Sequence, residues 1–155
     1  MGLEIERKFL VKIDKLPELS EGKEIQQGYI SSEGAAVIRI RIMAEKAFLT
    51  IKSNSPGLSR LEFEYAIPMN DAKDMIQQLC KGKYIKKKRY TLQVAKHTWE
   101  IDVFEDENKG LIIAEIELET ESESFELPDW IEKEVTSEKK YYNANLMKSP
   151  YLQWK

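Results

Sequence analysis

The sequence predicts a β-dominated α+β fold in which about eight antiparallel strands close into a barrel. Three observations lead there. Apolar and charged residues alternate with period two in one segment after another, which places them on opposite faces of a strand. The connections between these segments are short, so that neighbours in sequence pair as antiparallel hairpins. A sheet of this size has two edges to protect, and closure removes both.

In chain order, "LEIERKFL" (residues 3–10) sets Glu4, Glu6 and Lys8 on one face and Leu3, Ile5 and Phe9 on the other. A short helical turn is expected around "DKLPEL", and a short strand in "QGYISS" around Tyr29. "AVIRIRIM" carries Arg39 and Arg41 opposite Ile38, Ile40 and Ile42, and "AFLTIK" completes a hairpin with Lys52 opposite Leu49 and Ile51. "SNSPG" supplies a turn. "RLEFEYAI" alternates Arg60, Glu62 and Glu64 with Leu61, Phe63 and Tyr65.

A helix follows in "NDAKDMIQQLC", with Ala72, Met75, Ile76 and Leu79 at helical spacing, Asn70 or Asp71 as its cap and Cys80 packed at its end. "IKKKRYTLQV" places Lys87 and Arg89 on one face, although a slip of one residue would exchange Lys87 for Lys86 or Lys88. "TWEIDVF" sets Glu100 and Asp102 opposite Trp99, Ile101 and Val103. "IIAEIELE" sets Glu115, Glu117 and Glu119 opposite Ala114, Ile116 and Leu118. A second, less regular helix is expected in "TSEKKYYNANLMK", opened by Thr136 or Ser137 and stopped before Pro150.

The 155 residues suit one domain, 1–155. Charged residues make up 33%, yet the net charge is only -3, which argues against a binder of duplex nucleic acid. A lone cysteine excludes an internal disulfide framework and most thiolate metal sites. No apolar run reaches the length of a membrane span, and a reducing cytoplasm is the expected compartment. The expected partner is a small molecule rather than nucleic acid or membrane, with a monomer and a homodimer both open.

The charged faces could simply be wet, as one face of an antiparallel sheet often is. Their signs argue otherwise. Like charges recur at i, i+2 in Glu4/Glu6, Arg39/Arg41, Glu62/Glu64, Lys87/Arg89, Glu100/Asp102 and Glu115/Glu117. Two like charges about 7 Å apart repel by roughly 0.6 kcal/mol in water and about 2.4 kcal/mol at an effective dielectric of 20. Six such pairs in an enclosed space persist only if opposite charges or bound ions offset them. Clustered carboxylates without His or Cys are hard oxygen ligands suited to Mg²⁺ or Mn²⁺. Clustered Arg and Lys suit phosphate oxygens. Together they describe a site for a metal-bound polyphosphate.

With those residues in view, "EIERK" resembles the ExExK signature of the CYTH family, also called triphosphate tunnel metalloenzymes. The likeness continues in order through "QGYIS", "VIRIRI", "FLTIKS", "SRLEFEYAIP", "KKRY", "WEIDVF", "GLIIAEIELE" and "WIEKEVT" to "KKYYNANL". It implies an eight-stranded closed barrel, a charged tunnel with helices packed outside, and metal-dependent hydrolysis of a triphosphate. By position it implies that Glu4, Glu6, Glu115 and Glu117 hold metal, with Glu62, Glu64 and Asp102 serving a second metal or the attacking water. Lys8, Arg39, Arg41, Lys52, Lys87 and Arg89 would bind phosphate, Lys8, Lys87 and Arg89 among them taking part in catalysis, with Arg60 and Lys133 as further candidates for binding. Tyr29 would face the tunnel or pack. Lys139 and Lys140 stand where many relatives carry Arg. His97, alone beside a turn, is expected at the surface, and Trp99 and Trp130 are expected to pack on the outer face.

The resemblance thus implies hydrolysis of inorganic tripolyphosphate to pyrophosphate and phosphate, with Mg²⁺ or Mn²⁺. An adenylate cyclase of the same family, a thiamine or nucleoside triphosphatase, and a non-catalytic polyphosphate-binding module stay open as alternatives.

Overall fold

The computed structural model describes residues 2–55 and 58–154. Eight strands form a closed antiparallel barrel: β1 (Gly2–Val11), β2 (Lys23–Ser31), β3 (Ala36–Met43), β4 (Lys46–Ser53), β5 (Ser59–Ile67), β6 (Ile85–Val94), β7 (His97–Phe104) and β8 (Ile112–Glu117). They run in the order β5-β4-β3-β2-β6-β7-β8-β1, and β1 pairs back onto β5 to close the ring. A ninth strand, β9 (Ile131–Glu134), adds to the far end of β1 outside the ring, at Phe9 and Val11. The helix α1 (Met69–Gln78) lies between β5 and β6, and a single turn of helix, α2 (Asn143–Leu146), follows β9.

Register decides which row faces inward. Across each antiparallel pair, directly opposed residues point to the same side. Lys8 faces Glu115, Glu6 faces Glu117, Glu4 faces Arg60, Lys52 faces Glu62 and Arg89 faces Asp102. One shift of a single residue would turn a whole row outward. The pairing therefore gathers every charged row on the inside, and Lys87 rather than Lys86 or Lys88 takes the inner position, with only 1% of its surface exposed.

Three apolar clusters hold the barrel from outside and from one end. On the outer face of β1, β7 and β8, Ile5, Phe9, Trp99, Ile101 and Ile116 are buried beneath Phe125 and Trp130. Trp99 meets Trp130 edge to face at 5.4 Å, as expected of outer-face packing. Over β2, β3 and β4, α1 buries Ala72 and Ile76 against Ile40 and Ala47. Gly28 permits this approach: a Cβ there would lie 2.9 Å from the Sγ of Cys80. Leu61, Phe63 and Tyr65, on the outer face of β5, stay exposed.

The third cluster corrects an expectation. Residues 136–148 do not make a helix along the outside. They form a 3-10 turn (Lys139–Tyr141) and then α2, and Tyr141 and Leu146 join Ile85, Phe104 and Ile113 in closing one end of the barrel. The apolar residues of this segment converge on a cap instead of forming a stripe at helical spacing, so no long helix is favoured. Two smaller differences concern α1 and the "SNSPG" turn. The helix begins at Met69 behind Pro68, which places Asp71 in its first turn, where a negative charge suits the helix dipole. Pro56 and Gly57 of the turn lie outside the described residues. The 3-10 turn at Ile13–Lys15 falls where a short helical turn was expected.

Candidate active site

Inside the barrel is a cavity of about 320 Å³. Its two walls differ in sign. Strands β3, β4 and β6 bring Arg39, Arg41, Lys52, Lys87 and Arg89, while β1, β5, β7 and β8 bring Glu4, Glu6, Glu62, Glu64, Glu100, Glu115 and Glu117. Lys8 and Arg60 lie on the acidic side, and Tyr29 of β2 faces in as well.

Many of these charges meet in pairs. Lys8 donates to Glu6 at 3.1 Å and to Glu115. Lys52 bonds both oxygens of Glu4, at 3.0 and 3.1 Å, and stands 3.4 Å from Glu62. Arg60 lies 3.8 Å from Glu4, and Arg39 lies 3.6 Å from Glu64. Asp102 accepts from Lys87 at 2.6 Å and from Arg89 at 2.7 and 2.9 Å. Arg89 also reaches Glu115 at 3.1 Å and Glu100 at 3.4 Å.

The pairs hold the proton equilibria in opposite directions. Burial alone would neutralise Lys8, but Glu115 and Glu6 outweigh it and hold its ammonium well above the ordinary value. Burial would raise Glu115 and Asp102, yet Lys8 and Arg89 keep Glu115 low, and Lys87 and Arg89 keep Asp102 low. Other members of each wall are not satisfied in this way. Burial and then Glu115 raise Glu6. Burial raises Glu100 against the pull of Arg89, and burial with Glu4 and Glu6 raises Glu117. On the basic side, burial lowers Arg41 to about 10, with Arg39 and Arg89 adding to it. Burial lowers Lys87 to about 7 despite Asp102, helped by Arg89 and Arg41.

Each unsatisfied group points to the ion it would prefer. The Nε of Arg39 is buried without a hydrogen-bond partner. Arg41 is held by the side-chain oxygen of Gln27 at 3.0 Å and, among the described residues, forms no ion pair. The basic wall is built for an anion with several oxygens, and the acidic wall for a cation. Among the described residues, no three acids stand close enough to chelate an ion as they are placed. The donor chemistry nevertheless fits a hard divalent cation, because Glu6 and Glu117 offer only oxygen donors and their charge is disfavoured by the surroundings.

Several placements differ from the sequence reading. Asp102 is not on the cavity wall: it is 1% exposed, and both its oxygens are taken by Lys87 and Arg89. Lys133 lies outside on β9, largely exposed and 3.1 Å from Glu138, because β9 is not part of the ring. His97 is buried rather than at the surface. It pairs with Glu123 and packs against Phe125 on the outer side, away from the cavity. Tyr29 does face the cavity, where its hydroxyl accepts a hydrogen bond from Gln27.

The structure adds Gln27, Thr50 and Asn143 to the interior. Thr50 is fully buried, donates to Glu64 at 3.0 Å and accepts from Arg39 at 3.3 Å. Asn143 enters from α2 and accepts from Lys87 and Gln27, both at 3.1 Å. These neutral residues left no mark in a pattern read from charge. For Gln27 and Thr50 the signal was position: they alternate with Tyr29 and with Lys52 on inward rows.

The chain is similar to proteins of known activity. It is 46% identical over 155 residues to an inorganic triphosphatase of Acetivibrio thermocellus, covering 100% of this chain and 99% of the relative. An inorganic triphosphatase of Nitrosomonas europaea is 33% identical over 147 residues, with 92% and 95% covered. A crystal structure of an inorganic triphosphatase superposes with a TM-score of 0.65 at 30% identity, covering 92% of this chain and 96% of that one. The model of the CYTH domain matches residues 2–151, almost the full length of the barrel and its cap, and the chain belongs to that family.

Proposed function

We propose that the protein hydrolyses inorganic tripolyphosphate to pyrophosphate and phosphate with a divalent metal ion. The observation that carries this reading is the opposite bias of the two walls: bases pressed toward neutrality face acids pressed toward protonation across one cavity. A metal-bound polyphosphate relieves both at once. The two relatives named as inorganic triphosphatases, matched nearly end to end, support the choice of substrate.

In the mechanism, Arg39, Arg41, Lys52, Lys87 and Arg89 grip the phosphate oxygens, the guanidinium groups two at a time. Glu6 and Glu117 would hold Mg²⁺ or Mn²⁺, with Glu4 and Glu115 beside them. When bound, such a cation neutralises charge and polarises a phosphoryl oxygen. Water attacks a terminal phosphorus in line, the bridging P–O bond breaks and pyrophosphate leaves. Glu64, fixed by Thr50 and open on its other side, orients that water, with Glu62 nearby to take its proton. Lys8 and Asp102 keep their neighbours in place. Because phosphoryl transfer depends mostly on positioning and charge neutralisation, this set needs no nucleophile of its own. The whole chain acts as one tunnel domain, and its single, buried cysteine suits a reducing cytoplasm.

A phosphate-release assay across tripolyphosphate, ATP and pyrophosphate, with Mg²⁺, Mn²⁺ or chelator, tests the reading. Tripolyphosphate is expected to give phosphate and pyrophosphate in equal amounts only when metal is present. Cyclic AMP from ATP would instead establish the cyclase. Binding of tripolyphosphate without turnover under either metal would leave a binding module.

A further inference from the structure

The segment that caps the barrel also reaches into its interior. The side-chain oxygen of Asn143 accepts from the ammonium of Lys87 and from the amide of Gln27, each at 3.1 Å. The same Gln27 nitrogen donates to the Tyr29 hydroxyl at 2.8 Å, while the Gln27 oxygen accepts from Nε of Arg41 at 3.0 Å. The partners dictate both amide orientations, since Arg41 and Lys87 can only donate. Gln27 is 1% exposed, so its bonds form away from competing water.

An ammonium has three hydrogens to give. Asp102 takes one from Lys87, at 2.6 Å, and Asn143 takes a second. The Phe104 ring lies 5.4 Å away on the closed side. The third N–H is left for the cavity that Lys87 lines. Tyr29 is set in a similar way: its oxygen accepts from Gln27, so its own hydrogen is free to donate.

We propose that Asn143 and Gln27 are positioning residues, an amide relay that aims one N–H of Lys87 and the O–H of Tyr29 at a bound tripolyphosphate. The relay ties the cap to the chemistry, because Asn143 stands on α2 and Gln27 on β2. It rests on the reading of the cavity as a tripolyphosphate site.

A four-protein cycle on the full chain tests it: wild type, Asn143→Leu, Lys87→Ala and the double variant. Each is assayed for tripolyphosphate turnover with Mg²⁺ and for tripolyphosphate affinity by calorimetry in chelator. Asn143→Leu is expected to lower kcat about tenfold with KM changed less than about twofold, and to weaken affinity severalfold. In the Lys87→Ala background the same change is expected to cost clearly less, the remainder being its hold on Tyr29 through Gln27. Asn143→Asp keeps the acceptor and is expected to restore most of kcat while raising KM, because it adds a negative charge beside the substrate. An equal loss with and without Lys87 would reduce Asn143 to a part of the cap. So would an Asn143→Leu protein with unchanged kcat and affinity. Failure of the substrate reading shows separately, as a wild type that binds tripolyphosphate but releases no phosphate. The affinity cycle still judges the relay in that case.

Discussion

The basic and acidic walls of the tunnel are built from the same kind of strand, yet they end in opposite states. On β3 and β6, Arg41 and Lys87 lose affinity for their protons because burial strips them of water, with neighbouring cations adding to it. On β1 and β8, Glu6 and Glu117 hold theirs more firmly because of burial, with neighbouring acids adding to it. Between the walls stand groups that have found partners, such as Lys8 with Glu115 and Asp102 with Arg89. Lys87 and Glu6 belong to both sets, since each is biased toward its neutral form and still has one partner, Asp102 and Lys8 respectively. The polarity of the cavity thus separates the anion's wall from the cation's within a single ring of strands.

The sharpest way to break this contrast is to remove a crowded cation. Arg41→Ala is expected to lower kcat/KM for tripolyphosphate by roughly 10²-fold. Its fold should be intact by circular dichroism, because Arg41 forms no ion pair among the described residues. A fall below tenfold would mean the basic wall does not grip substrate.

Removing a crowded acid should have two opposed effects. Glu6→Gln is expected to cut turnover by about tenfold or more and to weaken metal affinity by a comparable factor. It should also raise the thermal midpoint of the metal-free protein by a few degrees, since a repelled carboxylate is gone. A midpoint that falls would show that Glu6 serves the frame after all, through its bond to Lys8.

The walls should also part company in a pH titration of metal-free stability. Glu6, Glu100 and Glu117 bind protons more tightly when folded. Their contribution is fully present below the ordinary 4.5 and is lost as the pH rises through their raised values. Glu115 and Asp102 run the other way and lose theirs as the pH falls through their lowered values. The midpoint is expected to climb as the pH falls through the raised values of these three acids toward 4.5, and to drop below that. Saturating Mg²⁺ should flatten the climb. The smallest effect is expected outside the ring: Lys133→Ala should leave turnover unchanged and stability within about 0.5 kcal/mol.

Most of the barrel could be read from the sequence because alternation and sign reinforce each other. A row such as Arg39 and Arg41 between isoleucines leaves few other arrangements. The same reasoning placed Trp99 outward, and it left Lys87 inward but for a one-residue slip that the pairing with β7 then closed. It failed where burial is not periodic. The cap gathers Tyr141, Leu146 and Trp154 from turns rather than from one helix face, and Asn143 is carried in with them. It failed for Lys133 because strand propensity does not say whether a strand joins the ring. Asp102 shows a third limit: a residue can share a row with wall carboxylates and still stand behind its own counter-ions.

Strand β1 pairs with three others, β5, β8 and β9, and its Lys8 amide reaches Thr136 across 128 residues of chain. Ring closure therefore joins segments that are distant in sequence, the kind of contact that makes a domain slow to reach its native state. Until β8 and β9 arrive, β1 has an unpaired edge and an uncovered row of Ile5 and Phe9. A chain whose seam is still open is therefore the state most exposed to aggregation.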